Sequence, residues 1–271
     1  MCNMYFIDMK FFHGNLLKTI CSYVYDEQGY WKNEGVNTNI FFVKTDWIHD
    51  FLENKIPNYP FKLITHNSDY AINESHLYGL NNQNLLKWFA QEIDIDHPKL
   101  FHIPTGLPNE RVLYKDGPLE HFHFGARKVF SDIMFSENNK KKLMAEITFD
   151  VNTNKDRTGC LDICNKMGMY YKKLNYTDYL NDIKESMFCI SPNGSRPESH
   201  RVWECLHLKC VPIVVPSPRP ALYKEFPVIL LNNWKDLLTT ELNKEVYYKY
   251  MSTFDIQKLN GSFVLDKILK M

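Results

Sequence analysis

The sequence predicts an α/β protein of two lobes, and three observations carry that prediction. Short apolar runs of strand length alternate with segments of helical periodicity along nearly the whole chain. The alternation breaks once, at 109–126, in an irregular stretch holding Gly117-Pro118 and the aromatic and histidine run Leu119 to Phe124; this suits a linker or an active-site loop. The 271 residues also suffice for two domains of ordinary size. The expected division is an N-terminal lobe at 1–125, a C-terminal lobe at 126–253 and a terminal helix at 254–271 that packs back on the first lobe.

In the first lobe Asn39 to Val43 reads as a strand, and Thr45 is placed to cap a helix over Asp46 to Glu53. Phe61 to Thr65 is the next strand and ends in a polar tip, His66-Asn67-Ser68-Asp69. Leu85 to Glu92 reads as an amphipathic helix. Leu100 to Ile103 is a short strand running into the turn Pro104-Thr105-Gly106. The second lobe repeats the pattern, with a strand at Leu143 to Phe149, a loop at Asp150 to Arg157 and a helix from Thr158 to Met167. A helix over Tyr176 to Ser186, capped by Thr177, precedes a strand at Met187 to Ile190. Further strands are read at Cys210 to Val215 and Val228 to Leu231, and helices at Trp234, Glu241 to Met251 and Asp255 to Met271.

Composition excludes several classes. Lys+Arg and Asp+Glu balance at 32 each, so no net charge draws the chain to nucleic acid or an anionic membrane. Seven cysteines, an odd number without repeated spacing, read as free thiols of a reducing compartment, and a cytoplasmic location is expected. Cys160 and Cys164 would share a helix face but lack partners at zinc-ligand spacing. No apolar run reaches membrane-spanning length, and the N-terminus is broken by Asp8, Lys10 and His13. No Gly-x-Gly-x-x-Gly occurs, which leaves an NAD-type fingerprint unsupported.

The chemistry concentrates at 188–215. A strand opens into Ser191-Pro192-Asn193-Gly194, followed by a polar loop, a helix beginning near Ser199 and another strand. Ser191, Asn193, Gly194 and Ser199 can offer N–H groups and hydroxyls to an anion, with Gly194 alternatively present for a positive-φ turn. His200 and Arg201 follow in the first helical turn. Arg201 and Glu204, three apart, share a face as a phosphate-binding fork and a ribose acceptor, or as a plain surface pair. Arg157, in a loop at the same sheet edge, could join Arg201 on a diphosphate. In the first lobe Asp69 or His66 is placed to take a proton from a hydroxyl, or else to close an Asx-turn. Asp94-Ile95-Asp96 is a weak metal-diphosphate pattern, and His121, His123, His97 and His102 give a still weaker metal set. Tyr70, Tyr78, Phe122 and Phe124 are candidate sugar-stacking aromatics.

The segment Ser199-His200-Arg201-Val202-Trp203-Glu204, with Cys210-Val211-Pro212-Ile213-Val214, resembles the exostosin-like glycosyltransferases of family GT47. The first half is similar to small exostosin-like enzymes of bacteria and large algal viruses through 42–46, 63–69, 87–91 and 103–107. The resemblance covers roughly residues 40–235 and departs at Lys209, where the family usually has glycine. It implies a GT-B fold of two Rossmann-like lobes facing across a cleft, and inverting transfer from a UDP-sugar, with UDP-xylose favoured. It implies no tightly bound cofactor and no required metal. The implied acceptor is a mono- or oligosaccharide, fucose-containing or carried on a glycoprotein, with neither nucleic acid nor membrane insertion involved. A viral chain would act in the host cytoplasm. Glu204 is then the ribose residue, Ser199, His200, Arg201 and Arg157 hold the diphosphate, and Asp69 is the base. The alternative is a non-catalytic nucleotide- or carbohydrate-binding protein.

Overall fold

The structure, a computed structural model, describes residues 10–109, 126–137, 142–215 and 220–271. His121, Phe122, His123, Phe124 and Cys2 lie outside the described residues. The chain forms two compact α/β units, Met1–Leu107 with Gln257–Met271, and Pro108–Ile256.

In the first unit the elements are α1 (Gly14–Leu17), β1 (Tyr23–Asp26), β2 (Gly29–Lys32), β3 (Ile40–Lys44), α2 (Ile48–Asn54), β4 (Phe61–His66), α3 (Leu77–Leu80), β5 (Leu85–Ala90) and β6 (Leu100–His102). The six strands run in the order β2-β1-β3-β4-β5-β6. All neighbours are parallel except the β1–β2 hairpin. Side chains alternate across a strand, so the sheet buries two faces. Phe42, Ile64 and Phe89 point into one core, which the C-terminal helix Gly261–Lys270 closes with Val264, Leu265 and Ile268. Phe41, Val43, Leu63 and Trp88 point into the other, with Phe51 and Leu52 of α2. Lys62 Nζ donates to the carbonyls of Ile268 and Leu269, both at 3.0 Å. A cation there offsets the negative end of the C-terminal helix.

Residues 85–90 are thus a central strand, not the expected helix. The apolar run suits either element, and β4 and β6 supply ladder partners on both sides. Thr45 opens a 3-10 turn at Thr45–Trp47 without capping α2 through its side chain. Strands β1 and β2 form a hairpin whose turn is Asp26-Glu27-Gln28-Gly29, with Gly29 at φ 90°.

Asp26, 5% exposed, accepts from Lys18 Nζ at 2.6 Å, Gln28 N at 3.0 Å and Trp31 Nε1 at 3.4 Å. Burial pushes its carboxyl up, but the bonds from Lys18, Gln28 and Trp31 together hold it below the usual value. A depressed carboxylate stabilises the fold above its unfolded pKa of about 4, and that contribution is lost as pH falls through the folded value. Asp26→Asn is therefore expected to lower the melting temperature at pH 6, and the gap to the parent is expected to narrow as pH falls below about 4. A gap independent of pH would overturn this account.

The second unit holds α4 (Ala126–Phe135), β7 (Lys142–Met144), α5 (Asp156–Lys166), α6 (Tyr176–Glu185), β8 (Ser186–Ile190), α7 (His200–His207), β9 (Val211–Val214), β10 (Ile229–Leu230) and α8 (Lys244–Ser252). Its four strands are all parallel, in the order β10-β9-β8-β7. Strands β8 and β9 are buried along their whole length, as expected of a parallel sheet covered on both faces. Pro212 stands in β9 where a proline is normally excluded. It is tolerated because β10 begins its pairing one residue later, at Ile229 opposite Ile213.

Several boundaries differ from the sequence reading. The first strand of this unit stops at Met144, and an isolated bridge at Ile147 to Tyr171 carries the chain onward. Asn175, not Thr177, caps α6, accepting from Asp178 N at 2.9 Å. Lys209 sits in the left-handed region at φ 55°. Cys210 N donates to Cys205 O and Lys209 N to Leu206 O, the Schellman pattern that favours glycine at this position. That conformation explains why a glycine would be suited to the site. The six described cysteines are buried free thiols. Among the described residues no helix is long and apolar enough to cross a membrane.

Candidate functional site

The second unit gathers a charged array at the ends of its strands. Beyond β7 the chain carries Thr148 and Phe149, and Asp150 then caps a 3-10 turn. Arg157 lies in the first turn of α5, not in the preceding loop. Its Nε donates to Asn193 O at 2.7 Å and its Nη1 to Asp150 O at 2.8 Å. Arg201, one residue into α7, donates from Nη1 to Thr148 Oγ1 at 2.9 Å. Both guanidiniums flank the Phe149 ring, with Cζ to centroid distances of 5.9 Å for Arg157 and 6.0 Å for Arg201. Arg201 also lies 5.1 Å from the Tyr179 centroid.

These two cations are close enough to feel each other. Burial first, and then the like charge of Arg201, pull the Arg157 guanidinium down to about 10. Burial also opposes the charge on Arg201, but Tyr179, Cys189, Cys205 and Glu204 around it leave it raised. Among the described residues neither guanidinium has a carboxylate within ion-pair distance. Two like charges, Arg157 buried and Arg201 half-buried, held on backbone and hydroxyl acceptors make a site whose natural complement is an anion.

Glu204 lies one turn along α7 and is 4% exposed. Its Oε1 accepts from Tyr176 at 3.1 Å and its Oε2 from Tyr179 at 2.6 Å. Burial above all, with the Glu204 carboxylate adding, raises both phenols, so they remain protonated donors. Tyr179 therefore touches both candidate residues of α7, Arg201 and Glu204. Neither tyrosine was legible as a site residue, because their role depends on how α6 packs against α7.

The loop between β8 and α7 divides the remaining candidates. Ser191 belongs to the sheet, not to an anion cradle. It is 2% exposed, its N–H is taken by Ile213 O at 2.9 Å, and its hydroxyl donates to Cys189 O at 3.3 Å. Asn193 presents its carbonyl to Arg157, and Gly194 its carbonyl to Asn154 Nδ2 at 2.9 Å. Gly194 does not adopt positive φ. It is small because a Cβ there would stand 3.0 Å from Glu198 O. Glu198 in turn accepts from Trp203 Nε1, which ties the loop to α7. Ser199 is the N-cap residue of α7, yet its hydroxyl makes no capping bond, and among the described residues Oγ is buried with no hydrogen-bond partner. His200, the first residue of α7, is half-buried.

In the first unit His66 ends β4 and is 2% exposed. Its Nε2 faces Pro104 O at 3.0 Å, which can only accept, so Nε2 carries the proton. Nδ1 then accepts the Asn67 N–H at 2.8 Å. Asn67 sits at φ 63°, and its N–H also donates to Gln91 Oε1 at 2.9 Å. Gly14 packs directly beneath, where a Cβ would lie 1.8 Å from Asn67 Oδ1. Asp69 is exposed two residues beyond this braced tip. Tyr70 and Tyr78 are exposed as well, at 62% and 47%.

Asp94 and Asp96 follow a strand, not a helix, and both are exposed. Among the described residues no group of three or more His, Cys, Asp or Glu side chains comes together as a metal cage. His97 Nδ1 accepts from Lys99 N at 3.2 Å, and His102 Nε2 donates to Gln91 O at 2.7 Å.

No protein-family model matches the chain. Over 77 residues, 28% of this chain, it is 30% identical to a probable glucuronosyltransferase of Oryza sativa subsp. japonica. That stretch spans 17% of the rice protein's length. The chain is thus distantly related, over part of its length, to a sugar-transferring enzyme.

Proposed function

We propose that the chain is an inverting glycosyltransferase of the exostosin-like type with a GT-B fold, taking its sugar from a UDP-sugar, with UDP-xylose favoured. The observation that supports this best is the pair of guanidiniums at Phe149, Arg157 buried and Arg201 half-buried, with the buried carboxylate of Glu204 one turn from Arg201 on the same helix. A nucleoside diphosphate has the matching groups, an anion for Arg157 and Arg201 and a ribose diol for Glu204. Ser199 Oγ and the first turn of α7 add donors on the anion side.

The reaction proposed is a single in-line displacement. Asp69 takes the proton of an acceptor sugar hydroxyl, and that oxygen forms the new bond to the anomeric carbon as the bond to the diphosphate breaks. The departing UDP keeps the electron pair, and the two arginines offset its growing charge. One attack inverts the anomeric centre, so a UDP-α-sugar yields a β-glycoside. His66, with both ring nitrogens engaged on backbone groups, holds the tip and does not serve as the base.

The test is a panel of UDP-sugars assayed for UDP release with and without free L-fucose, xylose and other monosaccharides. Release that depends on both a donor and an acceptor is expected. Release without acceptor would make the protein a hydrolase. Binding of UDP with every donor left intact would make it a non-catalytic binding protein.

A further inference from the structure

Glu204 has two oxygens, and a phenol already sits on each. A ribose presents the same donor set, two neighbouring hydroxyls. With Glu204 4% exposed, a diol reaches that carboxylate only by replacing a donor already there. The two phenols are not equivalent. Tyr179 makes the shorter bond, 2.6 Å, and its ring lies 5.1 Å from the Arg201 guanidinium, so moving it would disturb the anion site. Tyr176 makes the longer bond, 3.1 Å, and is the first residue of α6. The start of that helix is fixed by Asn175 through its bond from Asp178 N. The Tyr176 side chain can therefore rotate without unwinding α6. Tyr176 itself is half-buried, so its ring already borders solvent.

We propose that Tyr176 is a latch on the ribose subsite: its hydroxyl holds on Glu204 the place that a ribose hydroxyl of the donor takes, and it leaves when the nucleotide binds, while Tyr179 stays and positions the carboxylate. The proposal rests on the ribose reading of Glu204. It makes Tyr176 a residue that weakens nucleotide binding, since each ribose bond formed there replaces one already made. The latch also keeps Glu204 from being a buried carboxylate without donors, the costlier arrangement.

The experiment is calorimetric binding of UDP and of 2′,3′-dideoxy-UDP to the full chain and to Tyr176→Phe and Tyr179→Phe. Tyr176→Phe is expected to bind UDP about tenfold more tightly than the parent, with the dideoxy nucleotide unchanged within about twofold, since only UDP needs the freed oxygen. Tyr179→Phe is expected to weaken UDP. If Tyr176→Phe leaves UDP unchanged or weaker while the parent still prefers UDP to the dideoxy nucleotide, the latch is overturned and the ribose reading stands. If neither the parent nor Tyr176→Phe distinguishes the two nucleotides, the ribose reading fails and the latch with it. If Tyr179→Phe tightens UDP as much as Tyr176→Phe does, the division of roles is overturned.

Discussion

Asp69→Asn is expected to lower kcat by about two to four decades while leaving UDP affinity within about threefold of the parent. The exchange keeps the shape of the side chain and removes its ability to take a proton. The tip that carries Asp69 is built to hold still. His66 is pinned between Pro104 O and the Asn67 N–H, and Asn67 is held in a left-handed conformation by Gln91 and Asn15. Beyond that brace the carboxylate of Asp69 is at the surface, where an acceptor hydroxyl can meet it. His66→Ala would also reduce turnover, but through the tip, and it would lower the melting temperature as well. Turnover of Asp69→Asn within tenfold of the parent would remove Asp69 from the mechanism, and weakened UDP binding would place it on the donor instead.

How much of this was legible in the sequence depends on where the deciding contacts lie. Strands β3, β4, β8 and β9 were readable because each is a short apolar run buried on both faces. Leu85 to Ala90 has the same ambiguity in reverse. Its apolar pattern fits a helix or a strand, and only the pairing with β4 and β6, distant in sequence, settles it. The β1–β2 hairpin has a local signal in Gly29 between runs with alternating tyrosines, but the two-residue turn Glu27-Gln28 lacks the usual Asn-Gly or Asp-Gly pair.

The site divides the same way. Arg201 and Glu204 share one helix, so their spacing alone puts them together, and Arg157 follows from the strand-end rule for α/β sheets. Ser191 was misassigned because the turn sequence Ser-Pro-Asn-Gly does not show which residue still belongs to the ladder. Its N–H pairs with Ile213 O. Tyr176 and Tyr179 were invisible as functional groups, since the bond each makes to Glu204 spans 25 residues or more. Lys209 shows that this helix end keeps its backbone form without the residue that favours it. The left-handed residue and both Schellman bonds are present without the glycine.

Arg201→Met is the second large effect, with kcat/KM expected to fall about 100- to 1000-fold, the loss typical of a donor that meets charge developing in the transition state. Methionine retains much of the apolar contact with Phe149 and Tyr179 while removing the charge and the bond to Thr148 Oγ1. Arg157 remains, but Asn193 O and Asp150 O already hold its Nε and Nη1, so it cannot turn to cover both phosphates alone. Arg201→Lys should recover only part of the activity, because an ammonium supplies charge without the planar fork or the stacking on two rings. The distinguishing readout is the nucleotide series. Loss of a diphosphate contact weakens UDP strongly and uridine hardly at all, whereas a general collapse of the site weakens both. Equal weakening of UDP and uridine, or kcat/KM within tenfold of the parent, would remove Arg201 from the anion site. The same variant also checks the coupling between the two arginines. With Arg201 gone, the like charge that depresses the Arg157 guanidinium is gone too, and its pKa should rise from about 10 toward the ordinary arginine value.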